Sequence, residues 1–183
     1  MDFWELYDRY YSRVRGYATS MLRDPTASDD VVQETFMRAQ ASVDTLREPE
    51  KVPAWLFRIA HNLCMDHLRA RRSSRIDPSA DPDAAGSCEG ASVQHDLERG
   101  EMSACVRTKI DRLSESHRAV ILLYDIQGLS HQEIAEVLEI EVGTVKVRLH
   151  RARRKLRAVL EADCSFDRDK RDVLVCEPKP PRE

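Results

Sequence analysis

The sequence predicts an all-α protein: two helical domains joined by a flexible acidic linker. Apolar residues return at steps of three and four through most of its 183 residues, the spacing of one helix face. No strand-like alternation stands out, and aromatic residues are few beside an abundance of charged ones. Between about Ser73 and Asp96 the periodicity stops and Pro, Asp, Gly and Ser take over. A chain of this length holds one or two domains, and the break favours two. The expected units are residues 1–75, a linker over 76–96, a second helical unit over 97–160 and an extension over 161–183.

The first helix carries Phe3, Leu6, Tyr7, Tyr10, Tyr11, Val14, Tyr17, Ala18, Met21 and Leu22 on one aromatic-rich seam. Asp24-Pro25 ends it, because proline cannot continue a helix and restricts the residue before it. A second helix is expected to start at Thr26 or Ser28, with Asp29 and Asp30 in its first turn and Val31, Val32, Phe36 and Ala39 inward. A third runs from Pro53. It buries Leu56, Ile59, Ala60 and Leu63 and leaves Arg58, His61, Asn62, Met65, Arg69 and Arg72 outside. Trp55 reads as a core residue.

In the second unit, a helix with Val106, Ile110 and Leu113 inward ends near Leu113, and another spans about His117 to Asp125 from Ser114 or Ser116. Ser130-His131-Gln132-Glu133 has the form of a capping box, and Gly128 before it suits a left-handed helix end. The short helix from Ser130 leads through Glu139-Ile140-Glu141-Val142 into a basic helix. There Val145, Leu149, Ala152 and Leu156 share one side at about 100° per residue. Val147, His150, Arg151 and Arg154 take the other, flanked by Lys146, Arg148 and Arg153. Thr144 to Arg157 holds seven Lys or Arg and no acid, within a chain of net charge −3. A solvated helix face normally mixes signs, so the unmixed run points to a polyanion. Two short helices joined this closely, the second basic, form a helix-turn-helix that reads a major groove.

Leu129-Ser130-His131-Gln132-Glu133-Ile134-Ala135, Gly143-Thr144-Val145-Lys146, Arg148-Leu149 and Arg151-Ala152-Arg153 together resemble region 4 of the extracytoplasmic-function (ECF) sigma factors. GTVK before a basic helix also resembles the LuxR-type response-regulator domain, so this half leaves both open. Asp29-Asp30-Val31-Val32-Gln33-Glu34-Thr35-Phe36-Met37-Arg38-Ala39 resembles ECF region 2.2, and Pro53 to Arg69 resembles regions 2.3 and 2.4. The two halves in this order are similar to ECF sigma factors and not to response regulators.

The resemblance implies partners and sites. Core RNA polymerase would be gripped at its β′ clamp helices and β flap, with Asp29, Asp30, Gln33, Glu34, Phe36 and Arg38 on the polymerase side. The −35 element would be read as duplex by Lys146, Val147, His150 and Arg151, with Arg148, Arg153 and Arg154 mainly on phosphate. The −10 element, as single strand, would meet Asp44, Arg58, His61, Asn62 and Arg69, the loop from Asp44 to Val52 forming a pocket for a flipped base. The family often has an aromatic residue at Leu46, Ser at Val147 and Gly at Glu139. The Val147 departure suits an apolar contact such as a thymine methyl, and Glu139 should strain its turn. Many family members are held by an anti-sigma factor, often membrane-bound, which makes such a factor a further expected partner.

Asp77 to Glu101 carries seven acids and one Arg. It serves as a tether that raises the effective concentration of the second module. By resemblance, it would thread the polymerase RNA exit path. The longest apolar run, Ala119 to Tyr124, is too short to span a bilayer, and no signal sequence opens the chain. A soluble cytoplasmic protein is expected, without membrane insertion. With no metal-ligand cluster, phosphate loop or acid/base pair, neither cofactor nor enzymatic activity is expected. The odd count of five cysteines argues against a disulfide framework. Cys64 reads as a small core residue rather than a zinc ligand beside His61 and His67. In the tail, an extended Val173-Leu174-Val175 would bring Cys164 and Cys176 together as a redox or metal pair, the alternative being a disordered tail with incidental thiols. The rival readings are a dimeric helix-turn-helix regulator acting on duplex DNA alone, and a nucleic-acid enzyme.

Overall fold

The structure, a computed structural model, describes residues 2–42, 48–74, 104–168 and 174–178. The linker, the Asp44 loop and Leu46 lie outside the described residues. Helix α1 spans Phe3–Leu22, and its start is built by a capping box that the sequence reading passed over. The Asp2 carboxylate accepts from the Glu5 N–H at 2.8 Å, and Glu5 returns the bond to the Asp2 N–H at 3.2 Å. It buries Leu6, Tyr10, Val14, Tyr17, Ala18, Met21 and Leu22, the expected seam. Arg23 closes it in the left-handed region at φ 54°, donating its N–H to Thr19 O.

Helix α2, Pro25–Ser42, starts earlier than expected. Proline occupies its first position, where a missing N–H costs nothing, and Asp24 rather than Thr26 or Ser28 serves the free backbone groups. Asp29 and Asp30 consequently fall in the second turn, where the helix dipole is weaker. A short 3-10 turn at Pro49–Lys51 leads into α3, Val52–Ser74. The three helices pack mutually, with Val31, Val32, Phe36, Ala39, Leu56, Phe57, Ala60, Leu63 and Cys64 closing the core. Burial pushes the Cys64 thiol up to about 12, which keeps it protonated and inert.

The second unit begins with α4, Ala104–Ile110, which stops one turn short of Leu113. Helix α5, Glu115–Ile121, runs on as a π-helical turn, Leu122–Ile126. Gly128 follows at φ +72°, a conformation glycine adopts without strain. Helix α6, His131–Leu138, and α7, Val142–Asp163, complete the helix-turn-helix. Ile110, Leu113, Val120, Leu123, Ile134, Val137, Val145, Leu149 and Ala152 fill this core. The two units are not separate beads. Helix α6 lies against α3, α5 meets α1, and the buried residues form one continuous cluster.

One addition to the helical fold follows α7. Strand β1, Cys164–Arg168, pairs antiparallel with β2, Leu174–Pro178. The extended segment expected in the tail therefore forms, with a different register from the one a thiol pair wants. Cys176 opposes Phe166, while Cys164 opposes Pro178. Diagonal neighbours across a ladder stand roughly 7–8 Å apart at Cα, at the limit of what a disulfide bridges. Cys164 itself is buried against the end of α7.

Candidate nucleic-acid and polymerase interfaces

The recognition helix is set by two local devices. Ser130 and Glu133 exchange both bonds of their capping box, at 3.2 and 2.7 Å, which fixes where α6 begins. Glu139 then turns the chain in the left-handed region at φ 53°, as its replacement of glycine led one to expect. Helix α7 leaves this turn with Val145, Leu149 and Ala152 buried, so the opposite side is forced outward. Lys146, Val147, His150, Arg151 and Arg154 are all exposed there, Val147 at 50%.

Two arginines of this helix behave otherwise. Arg148 is half-buried and turned toward the first unit, close enough for its charge to act on His61 and His117. Arg153, expected on phosphate, is engaged within the protein. Its guanidinium pairs with both oxygens of Asp125, Nε at 3.2 Å from Oδ2, and lies 5.0 Å over the Tyr124 ring. On the helical wheel it sits nearer the core side, so the π-helical turn after α5 meets one side of it while half of the side chain stays in solvent.

Helix α3 presents Arg58, Asn62 and Arg69 to solvent, with Arg69 paired to Asp66 at 2.5 Å. His61, expected on the outer face, turns inward instead. Its Nδ1 lies 2.8 Å from the Tyr17 hydroxyl. Burial, with Arg69 and Arg148 nearby, lowers its pKa to about 4, so the ring is neutral and part of the core edge. That contact also removes it from any zinc set with Cys64 and His67, and among the described residues no cluster of His, Cys, Asp or Glu could hold a metal. Ile59 and Met65 are half-buried, and Trp55 packs against the core as expected.

On α2, Asp30, Gln33 and Arg38 are exposed, and Glu34 pairs with Arg38 at 2.7 Å. Asp29 is tied to Arg15 at 3.1 Å. Phe36 is a correction: it is buried, edge-on to Tyr7 at 4.9 Å, and offers a partner little surface of its own. It holds α2 on α1 and so presents the exposed row.

Sequence reasoning missed two features. A mainly apolar groove of about 390 Å³ runs between α4, α5 and α7, lined by Val106, Ile110, Ile121, Ile126, Leu156 and Leu160, with Asp125, Arg153, Arg157 and Glu161 completing its lining. Leu156 was assigned only to internal packing. Arg118 is the second, 1% exposed at the junction of the two units. It stands three residues before Ile121 and four before Leu122, a core position by periodicity, and that spacing was the available signal.

Comparison with known proteins agrees with this geometry. Residues 6–74 match the Sigma-70 region 2 family, and residues 103–156 match Sigma-70, region 4. RNA polymerase sigma factor SigZ of Bacillus subtilis is 31% identical over 175 residues, covering 96% of each chain. ECF RNA polymerase sigma factor SigW of the same organism is 33% identical, covering 86% of this chain and 88% of its own. Among solved structures, sigma factor RpoE in complex with the anti-sigma factor NepR, from Bartonella quintana, superimposes with a TM-score of 0.70 at 26% identity, covering 88% of this chain and 98% of that one. CnrH in complex with the cytosolic domain of CnrY gives 0.61 at 33% identity and 88% of both chains. A capped helix-turn-helix behind a three-helix region 2, matched to such relatives along nearly its whole length, makes this chain a member of the ECF RNA polymerase sigma factors.

Proposed function

We propose that this sigma factor grips core polymerase with two surfaces and reads the promoter with two others. The exposed row of α2, Asp30, Gln33, Glu34 and Arg38, takes the β′ clamp helices, with Asp29 at its edge. The groove between α4, α5 and α7 takes the β flap. Lys146, Val147, His150 and Arg151 read the −35 duplex, Val147 offering its methyls to thymine, and Arg154 anchors the phosphates. Asn62, with Arg58 and Arg69 for the backbone and Asp44 in the preceding loop, meets the −10 single strand. Polymerase performs the chemistry, so the chain acts without catalysis of its own, in the cytoplasm where core enzyme works. No helix among the described residues is long and apolar enough to cross a membrane. An anti-sigma factor is a further partner to be sought.

The observation that carries this reading is the opposition of two surfaces on α7. The side toward Val147 and Arg154 is polar and basic, while the side toward Leu156 and Leu160 opens on the apolar groove. DNA and polymerase can therefore be held by one helix at once. The test is reconstituted transcription with core enzyme on a library of upstream sequences. Discrete start sites preceded by two selected elements are expected. Binding to duplex DNA as a dimer, with no association with core enzyme, would instead favour the solitary regulator.

A further inference from the structure

One flank of α7, beside its duplex-facing side, carries a pattern of its own. Thr144, Arg148, Arg151 and Lys155 recur at steps of four, three and four, which lines them along a single edge of the helix. Helix α5 packs on α7, and the first turn of α5 meets this edge with His117, half-buried. Its Nδ1 lies 2.8 Å from the Ser114 hydroxyl, which fixes the ring and leaves Nε2 to meet a partner.

Charge around this point is unbalanced. Partial burial, then the charges of Lys155, Arg148 and Arg151, hold the His117 pKa below the ordinary 6.5. The neighbouring carboxylate does not offset them, because Glu115 is paired with Arg72 of α3. Arg151 and Lys155 are exposed, and no ion pair engages either among the described residues. Like charges gathered in this way repel one another, and an anion placed among them relieves the repulsion. The position names the anion. Arg151 belongs both to this edge and to the base-reading side of α7, so the chain that passes His117 is the sugar-phosphate backbone of the duplex being read.

We propose that His117 and Lys155 clamp a backbone phosphate of the −35 duplex, and that His117 takes up one proton from solvent as the phosphate seats. The inference rests on the −35 reading of the proposed function. With that proton both ring nitrogens become donors, Nδ1–H to Ser114 Oγ and Nε2–H to a phosphate oxygen. Arg148, half-buried behind them, adds to the field without touching the backbone. In the free protein three cations oppose the proton, and in the complex the phosphate favours it. Binding therefore tightens as pH falls, between the value at which the bound ring titrates and the lower one at which the free ring does.

Fluorescence anisotropy of the holoenzyme on promoter duplex, measured at pH 6 and pH 8, reads the clamp. Position 117 should contribute about three- to tenfold to the ratio of the two affinities, tenfold being the change that one pKa unit carries. His117→Gln cannot take the proton and should lower the ratio by that factor. His150, retained in both proteins, drops out of the comparison. His117→Arg carries a fixed cation. It should lower the ratio likewise, yet bind more tightly than wild type at pH 8, with a salt slope steeper by about 0.9. Both variants should keep wild-type helicity. Their effects should be equal on the preferred −35 element and on one altered at the pair Arg151 contacts, since phosphates carry no sequence. A wild-type ratio in His117→Gln would overturn the clamp, as would wild-type affinity and salt slope in His117→Arg at pH 8. An effect confined to one −35 sequence would also overturn it, by placing His117 on bases. A holoenzyme that selects no −35 element at either pH would sink the proposed function and the clamp together, whereas intact selection with position 117 silent sinks the clamp alone.

Discussion

Three arginines within four residues of α7 should respond differently to removal, because the structure gives each a different neighbour. Of the seven Lys and Arg between Lys146 and Arg157, Arg153 is paired to Asp125 and Arg157 to Glu161, and Arg148 is half-buried. Lys146, Arg151, Arg154 and Lys155 remain exposed without an ion pair among the described residues. With Lys146 and Arg151 assigned to base edges, Arg154 and Lys155 are left for phosphate. At about 0.9 counterion per contact, α7 contributes a slope near −1.8 to log K against log salt, or roughly 12-fold weaker binding between 50 and 200 mM. Arg154→Ala should flatten that slope by about 0.9 and weaken all sequences alike. Arg151→Ala should cost about 1–3 kcal/mol on the preferred −35 element and almost nothing on one already altered at the contacted pair. Arg153→Ala should leave the slope intact and lower stability by about 1 kcal/mol, since its pair with Asp125 is half exposed and its ring contact adds modestly. Fluorescence anisotropy of the holoenzyme on promoter duplex across a salt series, with thermal melts of the free protein, separates the three. If Arg153→Ala flattened the slope as much as Arg154→Ala, the assigned orientation of α7 would be wrong.

Other expectations follow from local geometry. Phe36→Ala should cost about 3–5 kcal/mol of folding stability, as a buried aromatic does. Gln33→Ala should instead leave the melt unchanged and weaken only core-polymerase binding, and a shared phenotype would contradict the split between support and contact. His61 has a folded pKa of about 4 against an ordinary 6.5. The unfolded chain therefore binds its proton first as pH falls. Its stabilising contribution is complete above pH 6.5 and is lost from there down to pH 4, on the order of 3 kcal/mol, in urea titrations at each pH. His61→Gln should remove that slope. Glu139→Gly should raise stability by about 1 kcal/mol, because the left-handed turn at φ 53° suits glycine; an unchanged or lowered melting temperature would show the turn is not strained.

Much of the fold was legible because its determinants are local. The seam of α1, the Ser130–Glu133 box, Gly128 and the apolar stripe of α7 each lie within a few residues of chain, and periodicity reads such things. Most of the misreadings depend on what another helix brings. Outward angle alone placed His61 with Asn62, but Tyr17 of α1 supplies a buried hydroxyl on that side. Arg153 looked like its neighbours until the π-helical turn of α5 set Asp125 and Tyr124 beside it. Phe36 was assigned to a partner because the motif around it was, yet an aromatic inside a docking motif can serve by anchoring the helix that carries it. Asp24 took over the capping of α2 because proline at the next position moved the helix start upstream.

The same distinction explains why the groove was out of reach of the sequence. Val106, Ile110, Leu156 and Leu160 each read as ordinary inward residues, and a sequence does not say that inward positions fail to meet. Here α4 is short, ending at Ile110, and α5 is widened by its π turn at Leu122–Ile126, so the far end of α7 lacks a full cover. An apolar strip left open at this end cannot be relieved by DNA, whose backbone faces the opposite, basic side. It needs a partner with apolar side chains, which is why polymerase rather than nucleic acid is assigned to it. Charge and apolarity on opposite sides of a single helix thus divide the partners, and a change on one side should spare binding at the other. Leu160→Asp tests this division: it should abolish flap-dependent transcription while leaving the α7 salt slope unaltered, and loss of both together would show that the two faces do not act independently.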